Sequence, residues 1–268
     1  MSHSPLRLPF ALLALSALAA CASTGGPAGH RTAENAAPRA PAPASGEARA
    51  RIGREDMLTQ MTFWAQEYSA HPEDIETARR FTEALRLGGR SERAVQIATE
   101  ALQRHPEDPQ LLMTYGLAQI AFKRPQEALR PLALVAQADA QNWRARSALG
   151  VALDQLGRFP EARRAYQEAL TLRPDDAGVL TNLGVSHLLA GEPEDAEPIL
   201  RQASALPGAP PEARQNLAIA IALQGRFDEA EQLERIDLPP AAAASNIAYL
   251  RGLLSDPRRW GDSQSSLQ

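Results

Sequence analysis

Residues 142–177 read NWRARSALGVALDQLGRFPEARRAYQEALTLRPDDA, with small residues at Gly150 and Ala162 and chain-turning residues at Gly157 and Pro174. Each of the four belongs to a column that repeats every 34 residues. Ala94, Ala128, Ala162, Ala196 and Ala230 form one column; Gly116, Gly150 and Gly184 form a second, which Thr82 and Ala218 complete. Gly89, Gly157, Gly191 and Gly225 form a third, interrupted only by Lys123. Pro72, Pro106 and Pro174 form a fourth, where Ala140 and Gly208 replace proline. Four columns in one register over five units mark stacked supersecondary units.

Each column suits a helix–turn–helix unit. Counted from the start of a unit, the small residue at position 8 lies where the first helix meets the second, letting the backbones approach. The alanine at position 20 is its partner on the second helix. The glycine at position 15 ends the first helix in a left-handed cap, and the proline at position 32 stops the second. Acidic residues just before the position-20 alanine (Glu127, Glu161, Asp195, Glu229) fall in a first helical turn, where the helix dipole favours them. Apolar residues at helical spacing, such as Leu149, Leu153 and Leu156, run between the columns. The register predicts helix pairs over 75–87 with 91–104, 109–121 with 125–138, 143–155 with 159–172, 177–189 with 193–206, and 211–223 with 227–235. A helix over 54–69, with Met57, Met61 and Trp64 on one face, is expected to cap the N-terminal end. Another after Pro239-Pro240, with Ile247, Tyr249, Leu250, Leu253 and Leu254, is expected to cover the last repeat. The fold class is therefore all-α, a solenoid of about five helical hairpins with a capping helix at each end, over residues 51–256. Residues 257–268 read as a flexible tail, whose Trp260 is expected to pack back onto the last helix.

Upstream of the array the chain changes character. Arg7 precedes an apolar run from Pro9 to Ala20, too short to span a bilayer permanently but suited to a signal-peptide core. The run ends in Leu18-Ala19-Ala20-Cys21, which resembles the bacterial lipobox. That resemblance makes 1–20 a lipoprotein signal peptide and Cys21 the lipidated residue, carrying three acyl chains, enough for stable anchoring. Ala22 follows in place of an aspartate, so the enterobacterial inner-membrane retention signal is absent. The implied address is the bacterial outer membrane, facing the periplasm. Residues 22–50 are rich in Ala, Pro, Gly and Ser with no large aliphatic side chain, and 21–50 is read as a lipid-anchored disordered tether.

Composition excludes several function classes. The chain is 44% hydrophobic but only 5% aromatic, which favours close-packed small helices over an aromatic-lined ligand pocket. A net charge of −4 and no concentrated basic face argue against nucleic acid. Cys21 is the only cysteine, so neither a disulfide nor a cysteine metal site can form within the chain. No P-loop, GxSxG or HExxH occurs, and the pairs Glu73-Asp74, Glu107-Asp108 and Asp175-Asp176 recur with the period, as helix-start residues do. No enzymatic activity, cofactor, metal centre or small-molecule substrate is expected.

The unit resembles the tetratricopeptide repeat. The resemblance implies a concave face built from positions 2, 5, 9, 12 and 13 of each first helix, and protein or peptide segments as partners. Position 9 reads Glu83, Leu117, Val151, Val185 and Ile219. Arg79, Met113, Ser147, Thr181 and Gln215 stand at position 5, and Ile120 and Asp154 at position 12. Asn182 and Asn216 stand at position 6, as in chaperone-binding relatives, but the basic residues of their carboxylate clamp are missing. Two readings of the apolar stripe stay open: a partner groove, or the inner packing of a tightly wound solenoid. His187 falls where the family usually places a packing aromatic, so a core role is expected for it.

A lipobox, a tether and about five such repeats look like the outer-membrane lipoproteins that assist envelope machines. Within these, residues 238–260, LPPAAAASNIAYLRGLLSDPRRW, are similar to the end of the TadD lipoproteins of the tight-adherence (Flp pilus) system. The shared features are the Leu-Pro-Pro break, Asn246, Tyr249-Leu250-Arg251 and Trp260. That resemblance implies a pilus-assembly factor acting on a secretin or other pilus proteins, as a secretin pilotin. Two other readings stay open: an adaptor for a periplasmic protease or peptidoglycan enzyme, and a structural subunit of an outer-membrane protein insertion complex.

Overall fold

The computed structural model describes residues 42–255, which hold thirteen α-helices and no strand. Ten helices form the five expected hairpins. These are α3 (Ile75–Leu87) with α4 (Ser91–Arg104), α5 (Pro109–Ala121) with α6 (Pro125–Ala138), and α7 (Trp143–Gln155) with α8 (Phe159–Leu172). Two more pairs follow, α9 (Ala177–Leu189) with α10 (Pro193–Ala205) and α11 (Pro211–Leu223) with α12 (Phe227–Glu234). Only α10 and α12 depart from the expected spans, each ending one residue early. The first helix of each pair is called helix A below and the second helix B.

Local chemistry sets these ends. Asp74, Asp108, Asn142 and Asp176 cap α3, α5, α7 and α9, each side chain accepting a backbone N–H from the first turn. Such caps contribute about 1 kcal/mol apiece. The acidic pairs are thus helix starts, as their recurrence implied. Each helix A ends in a left-handed residue: Gly89, Gly157, Gly191, Gly225 and, at φ 61°, Lys123. The next N–H then reaches back over the turn, as from Arg90 to the Leu85 carbonyl at 2.8 Å and from Arg124 to that of Gln119 at 2.9 Å. The turn requires this backbone whatever residue occupies it. Lys123 adopts it despite the steric cost of its Cβ.

Ala94, Ala128, Ala162, Ala196 and Ala230 are fully buried. Opposite them a Cβ on Gly116 would stand 2.6 Å from Leu132, one on Gly150 2.4 Å from Tyr166, and one on Gly184 2.5 Å from Leu200. The glycine column is therefore a contact surface, with the bulky position-24 side chain of helix B lying on bare backbone. Successive helices A also touch one another, α3 to α5, α5 to α7, α7 to α9 and α9 to α11.

The ends of the array differ from expectation. The tether reading through residue 50 is corrected, because Gly46–Ile52 form a helix, α1, capped by Ser45. Arg49 holds it in place, with Nη2 2.6 Å from Asp74 and 3.4 Å from Glu67 and its guanidinium 5.9 Å from the Trp64 ring. These polar and cationic contacts join the one aliphatic side chain of α1, Ile52, which packs against the core of the first repeat. α2 (Met57–Ala70) starts later than residue 54 because Asp56 caps it; Met57, Met61 and Trp64 pack on the first repeat. At the other end α13 (Pro240–Ser255) packs on α11 and α12 through Ile247 and Leu250. Tyr249 does not take part and is 67% exposed. Residues 1–41 and 256–268, including the leader, Cys21 and Trp260, lie outside the described residues. Among the described residues no helix is long and apolar enough to cross a membrane.

Candidate functional site

The residues expected on the groove separate into three groups. Met113, Leu117, Val151, Asn182, Val185, Gln215, Asn216 and Ile219 are half-buried on the helix-A layer, their outer faces accessible. Arg79 and Glu83 are paired with other residues of the chain, Arg79 across to the next repeat and Glu83 on the surface of its own helix. The Arg79 guanidinium grips both carboxylate oxygens of Asp108, and Glu83 pairs with Arg86 at 2.7 Å. Burial alone would raise the Asp108 carboxyl, but Arg79 and the Leu111 N–H hold it below the usual carboxylate range. Ile120, Ser147, Asp154 and Thr181 are buried, and the expectation that they line an open groove is corrected. The cause is the seam between successive helices A. Ile120 packs against Ala148 and Ala152 of α7, and Asp154 reaches Ser186 of α9, while the Thr181 hydroxyl is turned back onto its own helix and donates to the Ala177 carbonyl at 2.7 Å.

Asp154 is the centre of a buried polar knot. Its Oδ2 accepts from the Tyr166 hydroxyl at 2.8 Å, and its Oδ1 accepts from the Ser186 hydroxyl at 2.6 Å. Burial pushes the Asp154 carboxyl up, only partly offset by those two bonds, and pushes the Tyr166 phenol up as well. Beside the knot His187 is half-buried and polar in its contacts, not the packing residue expected. Its Nδ1 lies 2.8 Å from Glu192 and 2.9 Å from Arg163, and Arg163 also pairs with Glu192. His187, Glu192 and Asp195 bring ligand-type atoms within 4.8 Å of one another. The Arg163 guanidinium already supplies the positive charge there, and a metal ion would have to displace it.

Beyond α3 the helices A carry few charges, of which Arg144 of α7 and Glu212 of α11, both at position 2, are exposed. α5 and α9 contain no Asp, Glu, Lys or Arg. In α11 Arg214 is tied to Asp237 at 2.6 Å, and in α13 Arg251 lies 4.7 Å over the Phe227 ring. In α7 Arg144 stacks on Trp143 at 4.6 Å. Charge collects on helices B, as where Glu197, Arg201, Arg226 and Glu229 form one network across α10 and α12. Two shallow apolar pockets lie away from the stripe. One, of about 370 Å³, sits between α4 and α6 over Leu112 and Tyr115. The other lies among α2, α3 and α4 around Met61, Phe81 and Leu85.

Two residues on this face were read from the sequence only as part of the C-terminal cap. Tyr249 and Leu253 stand 34 residues after Gln215 and Ile219, and α13 contacts α11 and α12 as a sixth helix A would. The spacing was legible, but the Leu238-Pro239-Pro240 break and the short α12 hid it.

A tetratricopeptide-repeat profile matches residues 79–143, 133–177, 147–210 and 181–245. "Uncharacterized protein y4yS" of Sinorhizobium fredii (strain NBRC 101917 / NGR234) is 34% identical over 93 residues, 35% of this chain and 51% of that protein. The chain thus spans about half the length of that curated relative. Among solved structures, MamA AMB-1 is similar at 29% identity and a TM-score of 0.51, over 59% of this chain and 92% of that one. A tetratricopeptide repeat protein from Parabacteroides merdae ATCC 43184 shares the fold at 15% identity and a TM-score of 0.62, over 76% and 80%.

Proposed function

This chain belongs to the tetratricopeptide-repeat family, and on that premise we propose that it is a non-enzymatic scaffold holding a protein segment on its helix-A face. The observation that carries this reading is the partly exposed row Leu117, Val151, Val185 and Ile219 on adjacent helices A, two of which, α5 and α9, contain no Asp, Glu, Lys or Arg. Partly exposed aliphatic side chains repeated on adjacent rungs gain from an apolar partner surface. In this reading lipid on Cys21 anchors the chain to the periplasm-facing side of the outer membrane. The ending around Tyr249-Leu250-Arg251 supports a role in tight-adherence (Flp) pilus assembly, with the secretin or another assembly protein as the partner.

The experiment expresses the full chain in its native host beside a Val151→Glu/Val185→Glu variant and a deletion strain. The expected result is capture of a pilus-assembly protein by the parent chain and its loss in the variant. Pili should be missing and the secretin misplaced in the deletion strain. Normal pili in the deletion strain remove the pilus role; capture that ignores both glutamates removes the groove. Cys21→Ala should release the chain from membranes and end palmitate incorporation.

A further inference from the structure

The start of α4 departs from the corresponding helices B in its charge. Position 19, just before the buried alanine, is acidic in repeats 2 to 5 (Glu127, Glu161, Asp195, Glu229), but in repeat 1 it is Arg93. Position 16 holds an arginine in four repeats, and in three of these the arginine is engaged. Arg158 pairs with Glu161 at 2.7 Å, Arg226 pairs with Glu197 and Glu229, and Arg124 lies 4.5 Å over the Phe122 ring. Arg90, in repeat 1, has neither kind of partner, because Arg93 stands in place of the acid and Gly88 in place of the ring. Among the described residues neither Arg90 nor Arg93 forms an ion pair; Arg93 donates only to Gln96, at 3.0 Å, and both are exposed. Glu92 lies between them, exposed and paired with neither. Two cations at the start of a helix oppose its dipole, so an outside anion would be stabilising there.

Both arginines edge the apolar pocket among α2, α3 and α4, of about 510 Å³. Its floor is Met61, Ala65, Phe81 and Leu85, and it runs along α2 from Leu58 to Gln66, about 12 Å. Gly88 opens it a second time: a Cβ there would stand 2.6 Å from the Met61 sulfur. Leu58 is 69% exposed at one end. Arg90 and Arg93 follow Asp56 and Thr59 by 34 residues, which sets them level with that same end. Positive charge at one end of an aliphatic slot matches an anionic head on an aliphatic tail. A peptide would instead lay backbone N–H and C=O groups on a floor that cannot pair them. A flat bilayer surface would not fill a depression.

We propose that this pocket binds a single-chain fatty carboxylate. Its head pairs with Arg90 and Arg93, and its tail lies over Met61, Ala65, Phe81 and Leu85, covered on one side by Leu58. The site is separate from the helix-A face and does not depend on the groove reading.

The test follows displacement of dansyl-undecanoate from the full-length chain by laurate, butyrate or dodecyltrimethylammonium, all below micelle-forming concentrations. Laurate alone is expected to displace the probe. Arg93→Glu gives repeat 1 the pairing that Arg158 makes with Glu161, so it should raise the melting temperature. The same change should weaken laurate about tenfold or more, through loss of a charge-assisted pair. Arg90→Lys/Arg93→Lys should hold laurate within about threefold of the parent, since both charges remain. Leu58→Ser should weaken laurate without moving the melt. Probe held elsewhere on the chain is unmoved by Arg93→Glu, so the difference between the two chains reads this pocket. Equal laurate binding by the parent and Arg93→Glu overturns the proposal, as does displacement by dodecyltrimethylammonium as strong as by laurate. Binding to phosphatidylglycerol vesicles without displacement by laurate assigns the two arginines to a membrane surface and overturns it too.

Discussion

Repeats 2 and 4 close their hairpins the same way, while repeat 3 between them does not. In the outer two a glycine meets a leucine, Gly116 with Leu132 and Gly184 with Leu200, and position 12 holds Ile120 or Leu188. In repeat 3 Gly150 meets the Tyr166 ring, and position 12 holds Asp154. A buried phenol needs an acceptor, and Asp154 provides it. The carboxylate's other oxygen then needs a donor, supplied by Ser186, which stands where the other repeats carry Ala84, Ala118, Ala152 and Ala220. One larger side chain at the hairpin contact therefore draws two further polar residues into the seam. The lesson is that a column can keep its place in the fold while its chemistry changes. A charge that looks available to a partner can be spent inside.

Substitutions can break this contrast. The largest effect is expected for Tyr166→Ala, which leaves a cavity and strips Asp154 of one of its two donors. It should cost about 3–5 kcal/mol in urea unfolding. Asp154→Leu/Tyr166→Leu, which gives repeat 3 the chemistry of its neighbours, should recover a large part of that. If the double variant is no more stable than Tyr166→Ala, the knot is not what distinguishes repeat 3.

Gly150→Ala comes next. The added methyl meets a rigid ring at 2.4 Å, whereas at Gly184 it meets a leucine that can change rotamer. Overpacking of about 1–3 kcal/mol is offset by roughly 1 kcal/mol of helix propensity. Gly150→Ala should therefore lower the melting temperature more than Gly184→Ala; equal shifts would show that the ring yields as readily as leucine.

Lys123→Gly tests the turn of repeat 2, the only repeat whose left-handed residue is not glycine. It should stabilise by about 1 kcal/mol, read as a higher denaturation midpoint. No gain would mean that Lys123 is held by contacts that offset its backbone strain.

The smallest effect is expected for Asp154→Asn, and it depends on pH. Burial raises the folded Asp154 carboxyl above its ordinary value of 3.8, so its contribution to stability is complete below that value and is lost as pH rises through the folded one. Asn does not titrate and can still bond both hydroxyls. The variant should match the parent in acid and gain up to about 1 kcal/mol relative to it toward neutral pH. Asp108, held down by Arg79, has the opposite sign: Asp108→Asn should show its full disadvantage above 3.8 and lose it as pH falls below 3.8 through the lower folded value. A parent–variant difference for Asp154 that is flat with pH would contradict the burial of that carboxylate.

Helix ends were legible because they depend on neighbours in sequence. Asp108 three residues before Leu111 and Gly157 after Leu156 act through their own turn, whatever packs above them. The face of helix A was legible only in part. Leu117, Val151, Val185 and Ile219 keep one side free, but Ile120, Asp154 and Thr181 lie one turn away from the same stripe and are closed over by adjoining helices. The sign of this was present in the columns, where Asp154 stands between Ile120 and Leu188, Tyr166 between Leu132 and Leu200, and Ser186 between Ala152 and Ala220. Their partnership could not be read, because Asp154 and Ser186 are 32 residues apart.

By itself, then, the sequence determined the unit, its length, its turns and the apolar contact between its two helices, since all of these act within one repeat. Tertiary structure decided the rest: that α1 is held by Arg49, that α13 takes the place of a sixth helix A, and which side chains of the inner layer remain free. Those outcomes depend on how successive units stack, and stacking brings together residues that no local spacing connects.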